Sequence, residues 1–395
     1  MKQFVIDVIG KLIFLFGYLK GKCNAKDSMR IILLLPLTTV GGVELVHLDI
    51  LRAISKHNCE TFFWYRYNPW MAANGLNDSL EKEYAKFGPV NVLEDQVKSR
   101  FDNWQRKYLI GQFFGRINKK DKIVIVRNGD EQFKSALKQI KKKFKLIVVT
   151  HNSIKSQTDW KRLYHYLDAD INDKIDKRVI ISESLKIDLL ELFNHYKIKD
   201  NKRFKTICNS VQIDNQLFKK ESSVLNVLFA GRDVDEKRFY LIYDIARRMV
   251  DKQNIHFHFV GPNADKYEQL PNATFYGEVM DQQKMHEIYR ATNIFLLLSK
   301  SEGFPRSIAE AMGCGNIIIA TNVGAIKDHI SSKNGKLVTS TNDEEIKSEV
   351  FSTLINFLNS ANFDRTSQNN YEYAMRKFSF ETFSREYNNL IDELS

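Results

Sequence analysis

The sequence predicts an α/β protein made of two doubly wound parallel-sheet domains that face each other across a cleft. Three observations carry this. Short, continuous apolar runs alternate with longer stretches of helical period, the pattern of parallel strands covered on both faces by crossover helices. The alternation restarts near residue 224. Between the two series lies a polar stretch, Asn209–Ser223, with Asp214, Asn215, Lys219 and Lys220, which reads as an interdomain linker.

In the first half, strands are expected at Ile31–Leu35, Thr61–Tyr65, Lys122–Val126, Leu146–Thr150 and Val179–Ile181. Helices are expected at Val43–Lys56, Gln132–Lys142 and Glu183–Asn194. In the second half, strands fall at Val224–Ala230, His256–Val260, Thr274–Tyr276, Ile294–Leu298 and Ile317–Ala320. Helices there are Phe239–Asp251, Met280–Arg290 and Pro305–Met312, and Phe380–Leu394 reads as a last helix that closes the structure. The expected division is 1–27 (an amphipathic segment), 28–208 (first sheet domain), 209–223 (linker), 224–375 (second sheet domain) and 376–395 (closing helix).

Composition narrows the class. The chain has 395 residues, 43% hydrophobic and 27% charged, enough for packed cores in two or three domains. Its net charge is +11, unevenly spread. Residues 1–200 hold 35 Lys and Arg against 23 Asp and Glu; residues 201–395 hold 24 against 25. The basic half suits anionic lipid or a phosphorylated acceptor, the alternative being a solvated basic face. The run Lys138–Lys145 lacks interleaved aromatic platforms, so nucleic acid is not expected as a partner. Cys23, Cys59, Cys208 and Cys314 form no CxxC pair and are expected as reduced thiols of a cytoplasmic protein. Phe4–Leu19 is apolar but broken by Asp7 and Lys11 and shorter than the roughly 20 apolar residues of a spanning helix. Followed by Lys20, Lys22, Lys26 and Arg30, it suits a helix lying in a membrane interface; packing on the protein's own core is the alternative.

Four groups of residues follow expected strands and carry chemistry. Gly41-Gly42 opens a helix and lets backbone approach a ligand closely, although a plain tight turn explains it equally. Arg232, with Lys237 five residues on, provides two cations for a diphosphate, Arg as a fork and Lys as a point charge. His151 ends a strand and points to the cleft, where it is able to exchange a hydrogen bond with a reacting hydroxyl; a structural histidine is the alternative. Glu302 and Glu310 flank a loop-to-helix junction, Gly303-Phe304-Pro305, whose free N–H groups and helix dipole favour phosphate while the two carboxylates accept from sugar hydroxyls. Asp168-Ala169-Asp170 and Asp233-Val234-Asp235 are both DxD pairs, a pattern that binds divalent cations elsewhere. Neither directly follows an apolar strand, and Arg232 beside Asp233 favours phosphate over metal.

Taken together these residues resemble glycosyltransferase family 4, retaining nucleotide-sugar-dependent enzymes of the GT-B fold. The E-x7-E signature stands as Glu302 to Glu310, followed by Ala311-Met312-Gly313-Cys314-Gly315-Asn316, with Asn316 where the family usually has proline. Asn226 to Arg232 with Glu236-Lys237, and Ile207 to Val211, are similar to two further family segments. The resemblance covers about residues 205–340; the first half matches only at Gly41-Gly42 and around His151. It implies that Glu310 holds the ribose, that Glu302 holds donor-sugar hydroxyls, and that the backbone of Gly303, Phe304 and Pro305 meets sugar or phosphate. Arg232 and Lys237 would neutralise the departing diphosphate, Gly41 and Gly42 would approach it from the other domain, and His151 would lie near the sugar. It implies transfer from a nucleotide sugar to a glycan or lipid-linked acceptor in bacterial surface polysaccharide synthesis (lipopolysaccharide, O-antigen or capsule). The enzyme is then expected to be metal-independent, without a cofactor, and peripheral on the inner face of the plasma membrane. A nucleotide-sugar epimerase, a soluble glucan synthase and a non-catalytic module on the same fold are the rivals.

Overall fold

A computed structural model describes residues 30–37, 42–65, 79–94, 123–128, 144–151, 167–199, 203–220, 223–358 and 363–394, with a few single positions between them. Gly41 and the expected interfacial helix at 1–27, Leu15 apart, lie outside the described residues.

Two all-parallel sheets form the frame. The first has seven strands in the order β3-β2-β1-β4-β5-β6-β7. These are β1 (Arg30–Leu37), β2 (Asn58–Tyr65), β3 (Val90–Glu94), β4 (Ile123–Asn128), β5 (Lys145–Thr150), β6 (Lys177–Ile180) and β7 (Phe204–Thr206). The second has six, in the order β10-β9-β8-β11-β12-β13. They are β8 (Leu225–Ala230), β9 (Ile255–Val260), β10 (Ala273–Gly277), β11 (Ile294–Leu297), β12 (Ile317–Thr321) and β13 (Gly335–Val338). In each sheet the strand order reverses beside the first strand, so a crevice opens at β1/β4 and at β8/β11. Ligands of open α/β sheets bind outside the carboxyl ends of the strands at such switch points.

The helices are α1 (Gly42–Ala53), α2 (Ser79–Ala85), α3 (Glu183–His195), α4 (Phe239–Arg248), α5 (Gln282–Ala291), α6 (Arg306–Gly313), α7 (Asp343–Leu358), α8 (Phe363–Phe378) and α9 (Phe380–Leu394). Central strands are apolar through their middles because both faces are covered: Ile31 to Leu35 and Ile294 to Leu296 have no exposed surface. The second domain's core is built on β8, β9, β11 and β12 with α4 and α6. Helix α9 leaves that domain. Phe383, Tyr387, Leu390 and Ile391 pack into the first domain's core with α1, and Asn388 donates to the Ala53 carbonyl at 2.8 Å.

The described residues between the sheets have no regular structure, yet they are firmly tied. Asp214 takes a two-pronged ion pair from Arg290. Buried Lys220 donates to the carbonyls of Tyr289, Arg290 and Thr292 at the end of α5, and to Asn316 Oδ1 at 2.6 Å. Three carbonyls at a helix end meet one cation, a pairing that the helix dipole favours. Asn316 thus supplies an acceptor that a proline there would lack.

Candidate active site

The site is assembled at the carboxyl edge of the second sheet. Strand β8 ends at Ala230, and Gly231 and Arg232 follow. The turn after β9 packs against this end and requires glycine at 261: with φ 105°, a Cβ on Gly261 would fall 2.1 Å from the Gly231 carbonyl oxygen. Arg232 is exposed, and among the described residues no side chain is found paired with it. A short 3-10 turn, Asp235–Lys237, leads to α4. Lys237 at its end donates to Glu302 Oε1. Glu302 Oε1 also accepts from Ser299 Oγ at 2.6 Å, and its side chain is 10% exposed. The loop that holds Lys237 is pinned to the one that holds Glu302 by Lys300, whose N–H donates to the Glu236 carbonyl and whose ammonium pairs with Asp235 at 2.7 Å.

After Glu302, the chain turns into α6. Pro305 stands just before the helix with extended backbone and offers no side-chain cap, leaving the first N–H groups of α6 without one. The Phe304 side chain is buried, its ring tilted against His329 (4.1 Å between centroids) and stacked on Phe378 (5.2 Å). Gly324, at φ 54°, lies so close beneath that a Cβ would be 1.9 Å from the Glu302 oxygen. Glu310, on α6, accepts from the Tyr289 hydroxyl at 3.1 Å and lies 3.8 Å from Arg306 Nε. Burial, then the neighbouring Glu310 carboxylate, push the Tyr289 phenol well above its ordinary range, so it donates.

Among the described residues, the first domain meets this edge through Gly303, Asp328 and Arg306. Gly303 abuts the carbonyl of His151, where a Cβ would come within 2.5 Å. Asp328 caps the N-terminus of α3, accepting from the Ser184 N–H at 2.8 Å and from its hydroxyl. Arg306 pairs with Asp49 of α1 at 3.2 Å. His151 lies in this seam, 9% exposed, edge-on to His47 at 5.2 Å between centroids, with neither ring nitrogen hydrogen-bonded. Burial, the neighbouring His47 and Arg306 hold its imidazole well below the ordinary range, so it is neutral near pH 7.

Residues 225–356 match the family model for glycosyl transferases group 1. The chain superimposes on Anabaena Alr3699/HepE, solved in complex with UDP, with a TM-score of 0.70 at 14% identity, covering 92% of this chain and 100% of that one. The lipopolysaccharide outer core galactosyltransferase WaaB, in its apo form, superimposes with a TM-score of 0.67 at 18% identity over 92% and 99% of the two chains.

The fold is GT-B.

An uncharacterized 41.2 kDa protein in the cps region of Klebsiella pneumoniae is 26% identical over 242 residues. That match spans 55% of this chain and 64% of the relative's length.

Within the GT-B cleft, the structure brings Lys237, Glu302, Gly303, Pro305 and Glu310 to one sheet edge, with Arg232 beyond the end of β8 and His151 facing Gly303 from the other domain. Gly42 starts α1 after β1. Both DxD pairs are occupied by protein partners. Buried Asp168 pairs with buried Arg127 at 2.7 Å, and Asp170 with Lys134 and Lys138. Asp233 accepts from Tyr267 at 2.9 Å and Asp235 pairs with Lys300. The one described His/Cys/Asp group within metal-ligand spacing is Asp214, His286 and Cys314. It is a hydrogen-bonded chain instead: Asp214 is taken by Arg290 and His286, and burial pushes the Cys314 thiol up to about 12. Two contributors escaped sequence reasoning. Arg238 is buried in left-handed backbone (φ 49°) and donates to the Leu298 and Ser299 carbonyls, fixing the end of β11 beside Glu302. Arg306 lies inside the E-x7-E run, but its partner Asp49 is 257 positions away.

Proposed function

We propose that this protein is a retaining glycosyltransferase that moves a sugar from a nucleotide-sugar donor to a glycan or lipid-linked acceptor in the synthesis of a bacterial cell-surface polysaccharide. The observation that carries the reading is the Lys237–Glu302 pair, with the uncapped start of α6 and an exposed Arg232 that has no side-chain partner among the described residues. Cations, free N–H groups and carboxylates are gathered there as a sugar diphosphate requires. The group 1 family match over this domain, the UDP held by the structural neighbour HepE and the cps-region relative support the same reading.

In this mechanism the anomeric C–O bond to the diphosphate breaks, and its electrons leave with the nucleotide. Arg232, Lys237 and the α6 N-terminus stabilise that charge as it grows. Glu302 accepts from donor-sugar hydroxyls and Glu310 from the ribose. The acceptor hydroxyl attacks from the face that the phosphate leaves, and its proton passes to the departing phosphate oxygen. Neutral His151 orients a hydroxyl at the seam. With both DxD pairs taken by protein partners, fixed cations carry the metal's usual task, and the protein works at an anionic membrane surface on the cytoplasmic side.

A panel of UDP-, GDP-, dTDP- and ADP-sugars, scored by calorimetric binding and by hydrolysis, tests the reading. One donor should bind and turn over slowly without acceptor, in excess EDTA. A new nucleotide sugar as the product would replace transfer with epimerisation, and no binding to any of them would overturn the reading.

A further inference from the structure

Arg306 occupies a place that local rules disfavour. It is the first residue of α6, where a cation opposes the helix dipole. Glu310 on the same helix offsets part of this at 3.8 Å, and the closer partner comes from outside the domain. Arg306 Nη1 lies 3.2 Å from Asp49 Oδ2, with the side chains only 24% and 13% exposed, so the pair is better shielded than a surface contact. The same carboxylate oxygen accepts from Ser210 Oγ at 3.2 Å, at the start of the segment that joins the two sheets. Asp49 is therefore a node where α1, the connecting segment and α6 meet.

What lies at the far ends of these two helices gives the node its meaning. Gly42 begins α1, about 10 Å from Asp49 at the helical rise. Glu310 lies one turn beyond Arg306 and within 3.8 Å of its Nε. We propose that Arg306 is a positioning residue: with Asp49 it keys the first domain to the donor helix, so that the α1 start and Glu310 close on one nucleotide sugar. Ser184–Asp328 and Gly303–His151 also join the domains, but Arg306–Asp49 is the ion pair among these three contacts and the one that reaches Glu310. The catalytic meaning rests on the donor-site reading above; the mechanical coupling does not.

A double-mutant cycle on the full chain tests this, with Asp49→Ala, Arg306→Ala and the double variant. Small-angle scattering gives the radius of gyration with and without UDP, and calorimetry gives UDP affinity. Each single variant should enlarge the free protein and weaken UDP binding about tenfold, with the double no worse than the stronger single. Effects that multiply, or an unchanged radius, overturn the proposal. If Asp49→Ala fails to fold, Asp49→Asn, which keeps the shape and removes the charge, is read by the same two criteria. If no nucleoside diphosphate binds the wild type while the radius changes non-additively, the donor-site reading fails and the coupling stands. If UDP binds and both quantities ignore the variants, the coupling fails and the donor site stands.

Discussion

Lys237 and Glu302 neutralise each other across the carboxyl edge of the second sheet, and Ser299 adds a hydrogen bond to the same carboxylate oxygen. Both side chains are largely shielded from water, and neither is free. Lys237→Ala should therefore act twice. It strands a largely shielded carboxylate, costing about 1–3 kcal/mol of stability, and it removes a cation from the leaving group, lowering kcat/KM about 100-fold. Thermal melts and transfer kinetics on the same sample separate the two.

Arg232→Ala should be the opposite case. The side chain is exposed and no described residue pairs with it, so the unfolding free energy should hold to within about 0.5 kcal/mol. Turnover should fall about 100-fold, more in kcat than in donor KM, because leaving-group charge grows toward the transition state. A change confined to KM would move Arg232 from the leaving group to ground-state binding.

Two glycines beside Glu302 should respond differently to a methyl group. Gly324 needs its left-handed backbone, and a Cβ would collide with the Glu302 and Gly303 oxygens, so Gly324→Ala should cost about 2–4 kcal/mol by denaturant titration. In Gly303→Ala the clash is with His151 of the other domain. That variant should keep its second-domain stability and lose activity with a larger radius of gyration.

Acid should weaken the protein below neutrality. Burial, with His256 beside it, pushes the His258 imidazole down to about 4, and burial pushes His329 down to about 4. Unfolded, each titrates near 6.5, so between pH 6.5 and 4 the unfolded chain binds more protons and stability falls as pH falls. At most this reaches roughly 3 kcal/mol per histidine. Denaturation midpoints measured at pH 7.5, 6 and 5 should decline in that order, and His329→Gln should flatten part of the slope.

Five of the six described strands of the second sheet were legible, most plainly Ile294–Leu297 and Ile317–Thr321, whose apolar residues run without a break up to Thr321. Strands β3, β7 and β13 were not. Phe204–Thr206 is three half-buried residues long, and β13 carries a lysine in its middle. Helix α8 hid for another reason. Its buried face includes Ser367 and Asn370, the latter donating to the Asn334 carbonyl at 2.7 Å, so no apolar stripe marks it. In the site, Lys237, Glu302 and Glu310 could be picked out because their chemistry lies within one short sequence neighbourhood per strand end. Asp49 with Arg306, and Ser184 with Asp328, join distant segments through ordinary residue types, and such pairings leave no local signal.

Helix α9 sets an unusual schedule for synthesis. The inner wall of the amino-terminal unit includes Phe383, Tyr387, Leu390 and Ile391, and the Asn388–Ala53 bond links positions 335 apart. Emerging from the ribosome first, that unit waits with an apolar flank uncovered while the later one completes itself. Nascent chains should thus depend on chaperones through most of translation, and trimming the final turns should harm the half of the molecule farthest from them in sequence.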